Sequence, residues 1–185
     1  MRIRELSEED LDQAVCLERE CFGSQAWSGQ ALLDAVRNEN ALYLAAFETC
    51  APADPASTDP APANLAPVNS APEKPASGNP APEPPVSEAP VLAGCCGVWL
   101  SFEEGEIMNV AVRKEYRRKG VAGRLMKELL SRAEKRGAAR FILEVREGNL
   151  PAIRLYESLG FLHAGRRRNF YSDPAEDALI MIKEI

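Results

Sequence analysis

The chain lacks the features that mark several common classes of protein. No apolar run approaches the 18 residues of a membrane-spanning helix, and the first residues lead into an acidic stretch without the apolar core of a signal peptide. The net charge is −6, so the sequence has none of the basic excess that nucleic-acid-binding proteins carry. We therefore expect a soluble, cytoplasmic protein that binds neither a membrane nor nucleic acid directly.

The sequence also lacks the spacing of cysteine and histidine residues that is typical of a metal site. The five cysteines form an odd set without metal-ligand spacing, namely Cys16, Cys21, Cys50, Cys95 and Cys96. Buried free thiols are the simplest interpretation. The only histidine, His163, has no evident catalytic partner. The sequence thus predicts no metal.

A segment rich in proline and alanine interrupts the chain at about residues 50–90. It holds 12 of the 14 prolines and no aromatic residue, and its five acids face only Lys74. Such a segment buries too little apolar surface to offset the entropy of an ordered chain. We predict one domain over residues 1–185, interrupted by this disordered insert. Without residues 51–90, 145 of the 185 residues remain, which is ample for one core.

The hydrophobic periodicity predicts the element order β-α-α-β-β-β-α-β-α-β-β. Strands are expected at 3–6, 41–47, 91–100, 107–112, 141–145, 163–171 and 178–185, and helices at 7–21, after Trp27-Ser28, at 124–136 and at 150–159. The insert then forms an oversized hairpin loop, which is tolerated because closure entropy grows only logarithmically with length. The expected fold class is α/β, more narrowly α+β, with a mixed sheet and helices on both faces.

One glycine-containing turn, residues 117–123, joins a predicted strand to a predicted helix. Its small residues let backbone N–H groups approach a ligand, the helix start adds partial positive charge, and three cations suit a polyanion. The turn lacks both the Gly-Lys-Ser/Thr ending of a phosphate-binding loop and the Gly-x-Gly-x-x-Gly dinucleotide spacing. It predicts a site for a pyrophosphate-bearing cofactor, although such residues also occur in ordinary turns.

The spacing Arg-x-x-Gly-x-Ala in this turn resembles the acetyl-coenzyme A signature of the GCN5-related N-acetyltransferase (GNAT) superfamily. Leu143-Glu144-Val145-Arg146, Asn149 and the 155–161 block follow in the family's order. Within the family, Ala26-Trp27-Ser28 and the 167–171 run look closest to the bacterial RimI type. That run departs from the type at Phe170, which replaces a tyrosine, and in a shorter 172–177 connection. The resemblance covers the chain except for the insert, and it implies the GNAT acyl-CoA N-acyltransferase fold.

The resemblance implies an enzyme that moves acetyl from acetyl-coenzyme A to the amino-terminal alanine of a small-subunit ribosomal protein. It implies Glu144 as the general base for an α-ammonium, whose ordinary pKa is about 7.7–8.0, and Tyr156 as the general acid for the leaving thiolate. From the residues alone, Glu144 is a solvent-facing strand residue and Tyr156 a core aromatic.

The same resemblance implies a cofactor site and an acceptor site. The pantetheine arm would pair with the strand edge, where an N–H near Ala111-Val112 would serve as an oxyanion hole. The acceptor peptide would contact Trp27, Arg168 and Tyr171, although Trp27 is equally well an ordinary core residue. The implied cofactor-binding residues are Val110, Ala111, Val112, Arg117, Arg118, Lys119, Gly120, Val121, Ala122, Gly123 and Asn149, of which Asn149 also suits a helix cap.

Two other functions stay open at this point. GNAT enzymes also acetylate protein lysine, polyamines or small-molecule amines, and the fold alone does not choose among them. Alternatively, a coenzyme A-binding scaffold displays the proline-rich arm to an unidentified partner. The presence of Glu144 and Tyr156 favours catalysis over the scaffold.

Overall fold

The computed structural model describes residues 1–48 and 90–185, so the predicted insert, apart from Pro90 at its end, lies outside the described residues. The predicted fold class and element order are confirmed. The helices are α1 (Leu11–Phe22), α2 (Gly29–Arg37), α3 (Val121–Lys135) and α4 (Leu150–Ser158), with 3₁₀ turns at Glu8–Asp10, Gly23–Gln25 and Lys114–Tyr116. The strands are β1 (Arg2–Glu5), β2 (Ala41–Phe47), β3 (Leu92–Ser101), β4 (Glu104–Val112), β5 (Arg140–Arg146), β6 (Leu162–Ser172) and β7 (Ala175–Glu184).

The seven described strands form one mixed sheet with the order β1-β2-β3-β4-β5-β7-β6. Helices α3 and α4 cover one face through residues such as Leu125, Leu129 and Ile153. Helices α1 and α2 cover the other face through Leu17 and Leu32. Because β2 is covered on both faces, every residue of that strand is buried. None of the helices in the described ranges is long and apolar enough to span a bilayer.

The sheet divides between β4 and β5. These strands run parallel and pair only from Glu104 to Glu106, where Glu106 is opposite Ile142. On its other side β4 pairs with β3 through a bulge at Met108, an extra residue that bends a strand. Beyond Glu106 the two strands are no longer paired. The edge of β4 therefore faces an opening in the sheet.

Several predicted boundaries were wrong. The first helix was predicted to begin at residue 7, but the capping box at Ser7 stabilises the 3₁₀ turn Glu8–Asp10. The α-helix begins after this turn, at Leu11. Strand β4 begins at Glu104 rather than at 107, because Glu104–Glu106 pair with β5. The terminal hairpin is longer than expected, because Ser172 pairs with Ala175. The connection predicted over 172–177 is therefore a two-residue turn, Asp173-Pro174.

The prediction of buried free thiols holds for only part of the cysteine set. The four described cysteines are free, and Cys95 and Cys96 are fully buried on β3. Cys16 is exposed and Cys21 is half-buried, because the exposed side of α1 carries the first and the opening in the sheet borders the second. Cys50 lies outside the described residues.

Candidate active site

The opening between β4 and β5 continues into a cleft of about 1160 Å³. Most of the predicted site residues line it: Trp27, Val110, Val112, Arg117, Arg118, Gly120, Val121, Ala122, Gly123, Glu144, Asn149, Tyr156 and Tyr171. Three do not. The Ala111 side chain is buried in the core under α1 and α2, the Lys119 ammonium lies 5.3 Å from the centre of the Tyr116 ring, and Arg168 lies on the exposed strand β6.

The 117–123 turn leads into α3 with an unusual backbone. Gly120 has a φ of +76°, which side chains disfavour, although a Cβ there would meet no atom within 4 Å. Glycine is therefore required by the backbone conformation, not by space. The first bond of α3 runs from the Arg124 N–H to the Gly120 carbonyl at 3.1 Å. The N–H groups of residues 121–123, which precede it, have no partner within the helix.

Arg117 fixes this turn to the end of β4. Its Nε donates to the Val112 carbonyl oxygen at 2.9 Å, and its Nη2 lies 3.6 Å from the Cys21 Sγ. The strand edge and the turn thus form one continuous surface. We call this surface, together with Glu18 and Asn109, the β4 side of the cleft.

Glu144 lies on β5 on the opposite strand face from the buried Phe141, Leu143 and Val145, as the alternation predicted. Its Oε1 accepts a charge-assisted hydrogen bond of 2.6 Å from the Arg167 Nη1. The sequence did not predict this partner. Glu144 remains 20% exposed.

Tyr156 lies on α4, which begins at Asn149. The Asn149 Oδ1 accepts from the Ala152 N–H at 3.3 Å, so Asn149 caps the helix and also lines the cleft. Tyr156 belongs to the core, where its ring packs edge-on against Phe161, and it also borders the cleft. Burial raises the pKa of the Tyr156 hydroxyl, so this group is protonated at neutral pH.

The proposed acceptor residues have mixed surroundings. Tyr171 is half-buried, and the Arg146 guanidinium lies 4.1 Å from the centre of its ring. Trp27 packs against Tyr43, with 6.1 Å between ring centres, and also lines the cleft, so its two predicted roles are compatible. We call Glu144, Arg146, Asn149, Tyr156 and Tyr171 the β5 side of the cleft.

Glu18 was not predicted from the sequence as a residue of the site. This residue of α1 is fully buried and lines the cleft, where its carboxylate accepts from the Asn109 amide and, at 3.4 Å, from the Trp27 N–H. Burial raises its pKa. A signal was present, because Glu18 falls on the same helical stripe as Ala14, Leu17 and Cys21, where an acid is unexpected.

The mixed sheet opens between the parallel strands β4 and β5, and a glycine-containing turn leads from β4 into α3. This is the class of fold that the resemblance implied. The acetyltransferase (GNAT) family model matches residues 64–161, more than half of the chain. The chain belongs to the GNAT family.

Individual relatives agree with this assignment. The chain is 48% identical over 81 residues to the [Ribosomal protein bS18]-alanine N-acetyltransferase of Escherichia coli, covering 43% of this chain. It spans little more than half the length of the curated relatives it matches first, 55% for that protein and 60% for one from Bacillus subtilis.

Solved structures resemble the whole chain. The crystal structure of the ribosomal-protein-S18-alanine N-acetyltransferase from E. coli has a TM-score of 0.71 and 27% identity, covering 100% of this chain and 93% of that one. The PaiA N-acetyltransferase from Thermoplasma acidophilum, in complex with coenzyme A, has a TM-score of 0.66 and covers 100% of this chain and 98% of that one. At 18% identity, the second supports the fold alone.

Proposed function

We propose that the chain is an acetyl-coenzyme A-dependent N-acetyltransferase whose acceptor is the amino-terminal alanine of ribosomal protein bS18. One observation carries this proposal: a single cleft joins the open edge of β4 and the 117–123 turn to Glu144 and Tyr156. The name of the E. coli relative supports the choice of acceptor. We also propose that the protein acts in the cytoplasm.

The residues on the β4 side fit coenzyme A. The unpaired edge of β4 offers backbone groups to an amide-containing arm, and the start of α3 offers N–H groups to a pyrophosphate. Arg117 and Arg118 line the same part of the cleft and supply positive charge. When bound, the cofactor supplies a thioester whose carbonyl carbon the amine attacks.

The chain's own residues then handle the protons. Glu144 accepts a proton from the α-ammonium, directly or through one water, so that the neutral amine can form the new C–N bond. As the C–S bond breaks, Tyr156 donates its proton to the departing sulfur. The nitrogen, which carries a positive charge after the attack, loses its second proton through water, and that proton restores the Tyr156 hydroxyl. A backbone N–H near Ala111-Val112 stabilises the charge that develops on the carbonyl oxygen.

An α-amine is a more suitable acceptor than a lysine side chain for a carboxylate base. The ordinary pKa values are about 7.7–8.0 for the α-ammonium and about 10.4 for the lysine ammonium. At neutral pH an α-ammonium therefore loses its proton to a carboxylate base far more readily than a lysine side chain does. Trp27 and Tyr171, which line the cleft, would contact the first residues of the peptide. Arg168, outside the cleft, would contact only later ones.

The test is thiol release from acetyl-coenzyme A with peptides that begin with alanine. We expect turnover with the bS18 amino-terminal peptide and none with the same peptide already acetylated at its amino end. A blocked peptide that contains lysine, and a polyamine, serve as competing acceptors. Faster turnover of either would overturn the acceptor assignment, and failure to bind coenzyme A would overturn the site itself.

The proposed insert provides a second arm of this test. Phe47 pairs with Leu92, and the Glu48 N–H donates to the Val91 carbonyl. Strands β2 and β3 are therefore paired up to the residues that flank the insert. An enzyme should keep its turnover when residues 51–90 are deleted. A scaffold that displays this segment would instead lose its partner, which a pull-down with the deleted chain would reveal.

A further inference from the structure

Arg146, the last residue of β5, donates several hydrogen bonds to residues outside its own strand. It lies two residues beyond Glu144 on the same strand face, and its side chain is 22% exposed. Nη1 donates to the Pro174 carbonyl and to the Glu176 Oε2, both at 3.0 Å, and Nη2 donates to the Asp173 carbonyl at 2.8 Å. These bonds attach the β6–β7 turn to the end of β5.

The same guanidinium reaches the segment between α1 and α2. Nη2 donates to the Gln25 Oε1 at 2.8 Å, and next to this bond the Ser24 Oγ donates to the Asp173 Oδ2 at 2.9 Å. Gln25, Arg146 and Asp173 all line the cleft. Arg146 therefore connects three parts of the chain that are distant in sequence at the border of the candidate active site.

The flat face of Arg146 is also used, because it covers the Tyr171 ring at 4.1 Å. A guanidinium can bind several acceptors in its plane and stack on a ring at the same time, whereas a lysine ammonium cannot. The Glu176 carboxylate extends the network, because its Oε1 accepts from the Gly148 N–H at 2.6 Å. The arrangement thus requires arginine in particular.

We propose that Arg146 is a positioning residue for the acceptor. It holds Tyr171 and the Asp173-Pro174 turn against the Gly23–Gln25 segment, and so fixes the shape of the part of the cleft that receives the peptide. The proposal rests on the proposed function, since the peptide is the substrate assumed to bind there. Arg146 itself need not touch the reacting atoms.

The first test compares Arg146→Ala and Arg146→Lys with the wild type. Losing bonds to a charged donor should raise the KM for the alanine peptide by about tenfold to a hundredfold. The Kd for coenzyme A should stay within about twofold, and Arg146→Lys should restore little. A KM that does not change, or a parallel loss of cofactor affinity, would overturn the positioning role.

Two further variants separate positioning from general damage. Arg166→Ala also removes an arginine with two carboxylate partners, Glu147 and Asp177, but Arg166 does not line the cleft. We expect it to leave the peptide KM near the wild-type value. Gln25→Ala removes the bond from Arg146 to the Gly23–Gln25 segment but keeps the Ser24–Asp173 bond, so it should raise the KM only a few-fold. An effect of Arg166→Ala equal to that of Arg146→Ala would contradict the proposal.

A readout without activity keeps this inference distinct from the proposed function. In Arg146→Ala, amide hydrogen exchange on the millisecond-to-second scale should accelerate both at residues 23–27 and at residues 171–176. Acceleration at 171–176 alone would show that Arg146 does not hold the two segments together. If the wild type turns over no peptide, the proposed function fails, and the exchange result alone decides whether the link exists.

Discussion

Two glutamates border the cleft, one on each side, in opposite electrostatic surroundings. On the β5 side, Glu144 is partly exposed and bonded at 2.6 Å to the Arg167 guanidinium. On the β4 side, Glu18 is fully buried, and the two groups that donate to it, the Asn109 amide and the Trp27 N–H, are uncharged. Burial raises the pKa of Glu18 accordingly.

The difference teaches how one cleft can assign separate tasks to two carboxyl groups. Acids in different surroundings are suited to different steps. Glu144, partly exposed and oriented by its bond to Arg167, is placed where we propose that it takes a proton from the acceptor and passes it to solvent. Glu18, enclosed between α1 and β4, is suited to shape the cleft beside the open strand edge.

The largest expected effect comes from Glu144→Gln. If Glu144 is the general base, this change should lower kcat for the alanine peptide by about a hundredfold to ten-thousandfold, the usual contribution of such a group. Binding of coenzyme A, measured by titration calorimetry, should be unchanged, because Glu144 is not among the proposed cofactor contacts, which lie on the β4 side except for Asn149.

Glu18→Gln is the matched control for that experiment. It removes the other carboxylate of the cleft and should cost roughly tenfold or less, below the usual contribution of a general base. If the two variants exchanged their effects, the roles assigned to the two sides would be reversed.

A smaller effect is expected from Gly120→Ala, which tests the β4 side as the cofactor site. At a φ of +76° an alanine should lower the free energy of unfolding by about 1–2 kcal/mol. The added methyl group would also project into the cleft at the start of α3, where we propose that the pyrophosphate binds, so the Kd for coenzyme A should rise. Urea unfolding and calorimetric titration measure the two consequences separately.

Gly123→Ala provides the comparison within the same turn. Its Cβ would meet the Leu155 Cδ1 at an ordinary 3.6 Å, and its backbone is helical, so alanine should stabilise the fold by up to about 1 kcal/mol. Its Kd for coenzyme A should nevertheless rise. Unchanged cofactor affinity in both variants would count against the cofactor site.

The parts of the site that follow from local chemistry were predictable from the sequence. The alternation of β5 placed Glu144 opposite its buried neighbours, and Asn149 was expected to cap α4. The turn at 117–123 was expected because it lies between the apolar run that ends at Val112 and the helix-like stretch 124–136. These features depend on residues close to one another along the chain.

The remaining features depend on contacts between distant segments. The bulge at Met108 reflects the pairing of β3 with β4, and the Glu144–Arg167 bond reflects how the β6–β7 hairpin meets β5. The buried Glu18 accepts a hydrogen bond from Asn109, which is 91 positions away. No periodicity in a single segment reports such pairings.

The smallest effect concerns the stability of the fold as a function of pH, and it tests the buried member of the glutamate pair. Burial raises the folded-state pKa of Glu18 above the unfolded value, which for glutamate is about 4.3. The folded protein therefore binds this proton more tightly than the unfolded chain does. The stability contributed by the protonated acid is fully present below the unfolded pKa and is lost as pH rises through the folded pKa.

Because the amide introduced by Glu18→Gln cannot ionise, this variant should not show the loss of stability that the wild type shows as the pH rises. Relative to the wild type, its free energy of unfolding should increase between about pH 4 and pH 7, and urea titrations at the two pH values measure that change. Any fixed cost of the amide is the same at both pH values and cancels. A stability difference that is independent of pH would mean that burial does not raise the pKa of Glu18 in the folded protein, and the contrast between the two sides of the cleft would then lose its electrostatic basis.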